Sequence, residues 1–373
     1  MSVWLCFWLV VVKTADWKTM AIAGTVIALI VGAGAGYLIG GFQTNADYEA
    51  RIAQLEQEII DLGGVVPEPK PTIRFTRAQT SVNFIDYSRE KQFRIMEAMG
   101  YTVDVQYVDV TPSIAALIAG EVDFIGTTAM EYLPAIEAGE DIIQICPTNT
   151  RGYLLVTSDD INSIADLEGR IIGASSYTSI SYLYMKYILL DNGVDPASVT
   201  WSMVGGSSAR NAALAAGSID AGLLYAEYAL VLDTLPGLHI LGSLPEFSDT
   251  GEVTSGVAVR KDFMDQYPQA TANFVKAGLL ANIFALTQRD AYIAEGMAWV
   301  EEETSAGNNI SYYTQLYDGY LSWGVWDLEF NAAMADRAVE LAIDAGSITT
   351  SLAASTWNDF SLWTSALQEY YQA

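Results

Sequence analysis

Ile114-Ala115-Ala116-Leu117-Ile118-Ala119-Gly120-Glu121-Val122-Asp123-Phe124-Ile125-Gly126 is the stretch that decides the fold. Its first half belongs to a helical run over 112–119, and its second half, 122–126, is a short apolar strand. The same alternation continues on both sides. Upstream come a strand at 72–75, a helical stretch reaching 99 and a strand over 103–110; downstream come a helix at 130–138 and a strand at 142–145. Strand and helix in turn imply a parallel α/β lobe.

A second series begins at 153–157 and runs through a short helix at 164–167, a strand at 170–173 and a long helix at 179–192. Strands at 199–204, 221–225 and 239–241, with a helix at 209–216, complete it. After 257–259 the pattern is helical to the end, with apolar faces in 270–286, 291–300, 312–321, 332–345 and 357–370. The chain leaves one lobe, builds another and returns.

Three segments, in order, carry a family resemblance. The quoted stretch resembles the "AL.AGEVDFG" segment of solute-binding proteins of the nitrate, sulfonate and taurine class of ABC importers. Ser163-Ile164-Ala165-Asp166-Leu167-Glu168-Gly169-Arg170-Ile171-Ile172-Gly173 resembles that family's entry into its second lobe. Ala209-Arg210-Asn211-Ala212-Ala213-Leu214 with Gly217-Ser218-Ile219-Asp220-Ala221 is similar to its second "AL..G.IDA" repeat. The resemblance spans 72 to the C-terminus and implies a two-lobed type II periplasmic-binding-protein fold, with lobe 1 formed by 72–157 plus 257–373 and lobe 2 by 158–256. It implies crossovers near 153–158 and 256–260, a small-molecule solute in the cleft and an ABC permease as partner. Ala226-Glu227-Tyr228 departs from the family's usual turn by lacking its proline.

Ahead of the body, residues 19–42 carry no charge, and about 20 apolar residues suffice to cross a bilayer core. A transmembrane helix is expected there, preceded by a cytoplasmic segment over 1–18. Lys13 and Lys18 come before it and Asp47 and Glu49 after, which puts the body outside the cell, at its surface. A cleaved signal peptide is the rival, but its apolar region is usually only about 7 to 15 residues. Gly24, Gly32, Gly36 and Gly40 form a small-residue stripe that would admit a second helix, or reflect the ordinary glycine content of membrane helices. Residues 43–71 read as a short helical stalk with a Pro/Gly spacer.

The totals exclude several functions. Acidic residues outnumber basic ones 45 to 18, a net charge of -27, so a nucleic-acid backbone would be repelled. Cys6 and Cys146 are the cysteines and His239 the single histidine, which leaves little material for a disulfide framework, a histidine metal site or a Ser-His-Asp triad. No cofactor and no metal is expected. Between 290 and 373, Arg337 is the one basic residue, and Trp299, Trp323, Trp326, Trp357 and Trp363 read as core packing between helices or as a subunit contact.

Ligands of open α/β lobes sit at the carboxyl ends of strands, where helix N-termini offer free N–H groups. That rule selects Arg77, Gln79, Thr80, Thr127 and Thr128 in the first lobe. In the second it selects Ser175, Ser176, Thr178, Ser179, Ser208, Arg210, Tyr225 and Glu227. Hydroxyls at helix starts suit an anion, or serve only as N-caps. Arg210 would pair with an anion or brace its lobe; Glu227 beside Tyr225 and Tyr228 would favour a cation, or be an ordinary turn residue. The sequence thus describes an extracytoplasmic receptor that performs no chemistry. The alternatives are a surface-assembly subunit on the same fold and a thiamin-pyrimidine synthase-like enzyme, which would need a reactive histidine and a cysteine-rich motif.

Overall fold

The chain divides into two compact units, Met1–Pro69 and Lys70–Ala373. The computed structural model describes residues 68–77, 82–108, 110–147, 152–177, 179–233, 235–247, 255–304, 309–326, 330, 332–344 and 346–372. The expected membrane helix, its glycine stripe and nearly all of the stalk lie outside these residues.

Lobe 1 opens with β1 (Thr72–Arg77), a 3-10 turn (Phe84–Asp86), α1 (Tyr87–Ala98), β2 (Thr102–Tyr107), α2 (Val110–Ala119), β3 (Phe124–Thr128), α3 (Ala129–Glu137) and β4 (Ile142–Pro147). Lobe 2 contains β5 (Tyr153–Ser158), β6 (Ile171–Ala174), α4 (Ile180–Asp191), β7 (Thr200–Met203), α5 (Ser207–Ala215), β8 (Ala221–Tyr225), α6 (Ala226–Leu232), β9 (Leu238–Ser243) and α7 (Leu244–Phe247). The chain then returns through β10 (Ser255–Arg260), α8 (Lys261–Gln266), α9 (Pro268–Thr287), α10 (Arg289–Thr304), α11 (Ile310–Ser322), α12 (Ala332–Asp344), α13 (Ala354–Trp357) and α14 (Phe360–Gln372).

Each lobe is a five-stranded sheet, in the orders β2-β1-β3-β10-β4 and β7-β6-β8-β5-β9. The two orders are the same pattern used twice. Neither sheet is purely parallel, which corrects the parallel lobes read from the sequence. β10 runs antiparallel between β3 and β4, and β5 runs antiparallel between β8 and β9. These are the strands that enter each lobe from the other, so they arrive without a crossover helix to set their direction. The boundary also shifts: β5 pairs within the second sheet, so the lobes separate between Pro147 and Tyr153 rather than at 157/158, and β10 from Ser255 belongs to the first. An apolar run buried on both faces reads alike in either sheet.

The deciding stretch shows why it has its composition. Asp123 is 1% exposed and bonds to Arg74 on β1 at 2.5 Å, with Arg260 of β10 at 3.9 Å, so one carboxylate ties three strands. A Cβ at Gly126 would sit 2.8 Å from the ring of Phe75, leaving room for glycine alone. In the second copy of the motif, Asp220 accepts from the Ile171 N–H at 2.7 Å, joining β6 to the turn before β8.

The returning helices complete lobe 1. α9 is long and apolar enough to span a membrane by length and composition, yet it packs as a core helix, with Phe274 stacked 4.4 Å from Phe124. Trp299, Trp326, Trp357 and Trp363 are buried as helix packing. Asn309 caps α11, its side chain accepting from the Tyr312 N–H at 3.2 Å. The lobes touch on two sides. On one, Tyr187 of α4 donates to Asp344 of α12 at 3.2 Å. On the other, α6 meets the 3-10 turn and α11 within one apolar cluster.

Candidate functional site

The carboxyl ends of β1 and β3 and the start of α1 form the first wall of the cleft. Arg77, the last residue of β1, is 4% exposed; its Nη2 donates to Asp86 O at 3.4 Å and its Nη1 is enclosed with no partner. The rings of Tyr107 and Trp299 flank the guanidinium at 5.4 and 5.6 Å. Arg89 on α1 donates to Gln92 Oε1 and lies against the Cys146 thiol; burial weakens its hold on its proton, and the charge of Arg77 does so further. Thr128 precedes α3 in extended conformation, and Thr127 donates from Oγ1 to Glu131 in the first turn of that helix. Burial raises the Glu131 pKa, opposed by the bonds from Thr127 and Thr128.

The second wall is built from helix starts. After β6, the Ser175 N–H donates to Ser181 Oγ at 3.0 Å and the Ser176 N–H to Ser179 Oγ at 3.1 Å, a hydroxyl-lined entry to α4. Gly205, at φ +100, turns the chain into α5, a conformation that L side chains rarely adopt. Arg210 on α5 is 2% exposed and donates to Leu223 O at 2.9 Å, Ser175 Oγ at 2.6 Å, Gly205 O at 2.6 Å and Ser207 Oγ at 3.0 Å. It therefore knits the starts of α4 and α5 together.

Tyr225 closes the floor. Its ring stacks on Tyr153 at 4.4 Å, and burial pushes its hydroxyl up to about 12, against a hydrogen bond from Tyr153. The charge of Glu131, from the opposite lobe, acts on both hydroxyls, as does that of Arg210 on Tyr153. Glu227 opens α6. Its Oε1 faces the Ile85 N–H at 3.5 Å, Tyr320 presses on the carboxyl, and burial raises its pKa to about 7.

The arginines divide cleanly among the described residues. Arg74, Arg94, Arg170, Arg260, Arg289 and Arg337 each lie within ion-pair reach of a carboxylate. Arg77, Arg89 and Arg210 have no carboxylate within ion-pair reach, although the charge of Asp86 acts on Arg89. A buried cation with no paired carboxylate is costly.

Arg77, Thr127, Thr128, Ser175, Ser176, Ser179, Ser208, Arg210, Tyr225 and Glu227 lie at strand ends and in or next to the first turns of helices, with Ser208 exposed on α5. Gln79, Thr80 and Thr178 lie outside the described residues. Arg89, Glu131 and Tyr153 went unselected. Glu131 had a local signal, a Thr-Thr pair followed by an acid at the next helix's first turn. Arg89 had none, because its position depends on β4 bringing Cys146 beside it.

Residues 93–273, a little under half of the chain, match the family model described as "ABC transporter, phosphonate, periplasmic substrate-binding protein". No curated protein matches in sequence. Among solved structures, a protein described as the periplasmic sulfonate-binding protein SsuA of Methylobacillus flagellatus superposes with a TM-score of 0.65 at 18% identity, over 82% of this chain and 96% of that one. The aliphatic sulphonate-binding SsuA of Escherichia coli gives 0.61 at 16%, covering 78% and 92%. The alkanesulfonate-binding SsuA of Xanthomonas axonopodis pv. citri, bound to MOPS, gives 0.58 at 16%, covering 79% and 100%.

The fold is thus the two-lobed type II periplasmic-binding-protein architecture.

Proposed function

We propose that this protein is a membrane-tethered receptor that closes on a small organic anion, a phosphonate or sulfonate, and passes it to an ABC permease without altering it. The carrying observation is the set of three arginines without carboxylate partners, two on one wall of the cleft and one behind the other, in a chain of net charge -27. A ligand anion would supply the missing counter-charge. Arg77, with an unpartnered Nη1, is the direct contact; Arg210 acts through Ser175 and Ser207, whose hydroxyls it orients. The helix starts at Thr128, Ser179 and Ser207 add amides and dipoles. The names of the sulfonate-binding neighbours and of the phosphonate family point to the same ligand chemistry.

The charge-free run 19–42 and the lysines before it support a single-pass anchor with the body outside. Against chemistry in the cleft stands its composition: His239 lies within β9 facing Asp159 at 3.7 Å, and Cys146 is buried beside Arg89, its pKa raised by burial. Calorimetric titration of the full-length protein with butanesulfonate, butylphosphonate and butylammonium tests the reading. Binding of either anion and not of the amine is expected; binding of the amine alone overturns it.

A further inference from the structure

Asn309-Ile310-Ser311 is the one Asn-x-Ser/Thr triplet in the chain, and neither the cleft nor the core uses its exposed side chains. An asparagine amide with a hydroxyl two residues on is the acceptor pattern for an N-linked glycan on a protein facing the outside of a cell. Such triplets also arise by chance, so what counts is whether the amide can be reached and changed without cost to the fold. All three residues are exposed, Ile310 by 56%. Asn309 stands just before α11 in a non-helical conformation, φ -114 and ψ 87. The preceding connection from α10, Ser305-Ala306-Gly307-Asn308, consists of small and turn-forming residues. α11 buries Tyr313, Leu316, Tyr317 and Tyr320, whereas Ser311 lies on the opposite face with Gln315 and Asp318, at helical spacing.

The helix cap divides the Asn309 side chain into two roles. Its Oδ1 accepts from the Tyr312 N–H at 3.2 Å, and Nδ2, on the other side of the planar carboxamide, points away from that N–H. A substituent on Nδ2 leaves Oδ1 an acceptor, so the cap and a glycan are compatible. We propose that Asn309 is an N-glycosylation site on the outer face of the body. The Asn309 Nδ2 bonds to the anomeric carbon of a glycan carried on a lipid phosphate or pyrophosphate and transferred by a membrane enzyme. The bond between that carbon and the phosphate oxygen breaks, the lipid phosphate leaves, and Nδ2 gives up one proton. The proposal rests on the body lying outside the membrane, as the tethered-receptor reading has it.

The test is the intact mass and the peptide map of the full-length protein purified from its own cells' membranes. A mass above that of the polypeptide by one glycan is expected, carried on the peptide that contains Asn309. Asn309→Asp keeps a capping oxygen and lacks the amide nitrogen, and Ser311→Ala leaves the cap residue untouched; both should lose the added mass. Ser311→Thr should retain it. A thermal scan on each variant checks that the loss does not come from misfolding. An unmodified Asn309 in the wild type, or a glycan that persists in Ser311→Ala, overturns the proposal. Protease digestion of spheroplasts separates the site from the topology. A digested body with an unmodified Asn309 refutes the site alone, whereas a protected body refutes both the site and the outward orientation.

Discussion

The hydroxyl of Tyr312 donates to the backbone carbonyl of Glu227 at 3.0 Å, joining the returning helix α11 of one lobe to the first turn of α6 in the other. Because the bond crosses the lobes, it contributes to closure and not to the stability of either lobe alone. Tyr312→Phe removes it and keeps the ring. Ligand affinity is expected to fall roughly fivefold, for a bond worth about 1 kcal/mol, with thermal unfolding nearly unchanged. Titration calorimetry and a thermal scan on the same sample check both halves.

Arg77 offers the opposite signature. Its Nη1 is enclosed and unpartnered, and no carboxylate among the described residues lies within ion-pair reach of it. Arg77→Met should cost tenfold or more in anion affinity, since hydrogen bonds to charged groups are worth about 1.5 to 3 kcal/mol. The same change should leave the ligand-free protein at least as stable, because it removes a desolvated cation. Loss of stability without loss of affinity would refute this role.

Arg210 is bound on every side, to Leu223 O, Gly205 O, Ser175 Oγ and Ser207 Oγ. Arg210→Met leaves those acceptors unpaired at the heart of lobe 2. A loss of roughly 3 kcal/mol of unfolding free energy is expected, read by denaturant titration, with ligand affinity falling as a consequence.

Glu227 gives the fold a pH dependence of its own. Its pKa in the folded chain is raised by burial to about 7 from 4.5, so its favourable contribution is complete below the ordinary carboxylate range and is lost as pH rises through 7. Glu131 shifts in the same direction, also through burial. The melting temperature should fall between pH 5 and pH 8, by an amount equivalent to at most roughly 3 kcal/mol from Glu227. Glu227→Gln should remove that share of the slope.

Much of this architecture was legible in the residues. The two acidic motifs ending in Asp123 and Asp220 could be read as a repeated helix-turn-strand, and each proves to tie strands through its carboxylate. The direction of β5 and β10 was not legible, because apolar alternation carries no sign and each strand pairs with partners over 60 residues away. The hydroxyls at helix starts, Thr128 before α3 and Ser179 before α4, were visible in the sequence, whereas Arg89 met Cys146, and Glu131 came within reach of Tyr153 and Tyr225, only when β4 and lobe 2 were brought against them.

Local sequence by itself determined where helices start, which strands are apolar and that the chain visits one lobe, leaves and returns, since these follow from short-range sterics, capping and periodicity. Only the tertiary structure decided what the charged residues do. Charge acts through space, so whether an arginine is paired or a carboxylate is dry depends on contacts between distant segments. That is why Arg210 braces its lobe, Arg77 stands without a counter-charge, and Glu227, read from sequence as a possible grip on a cation, faces the opposite lobe.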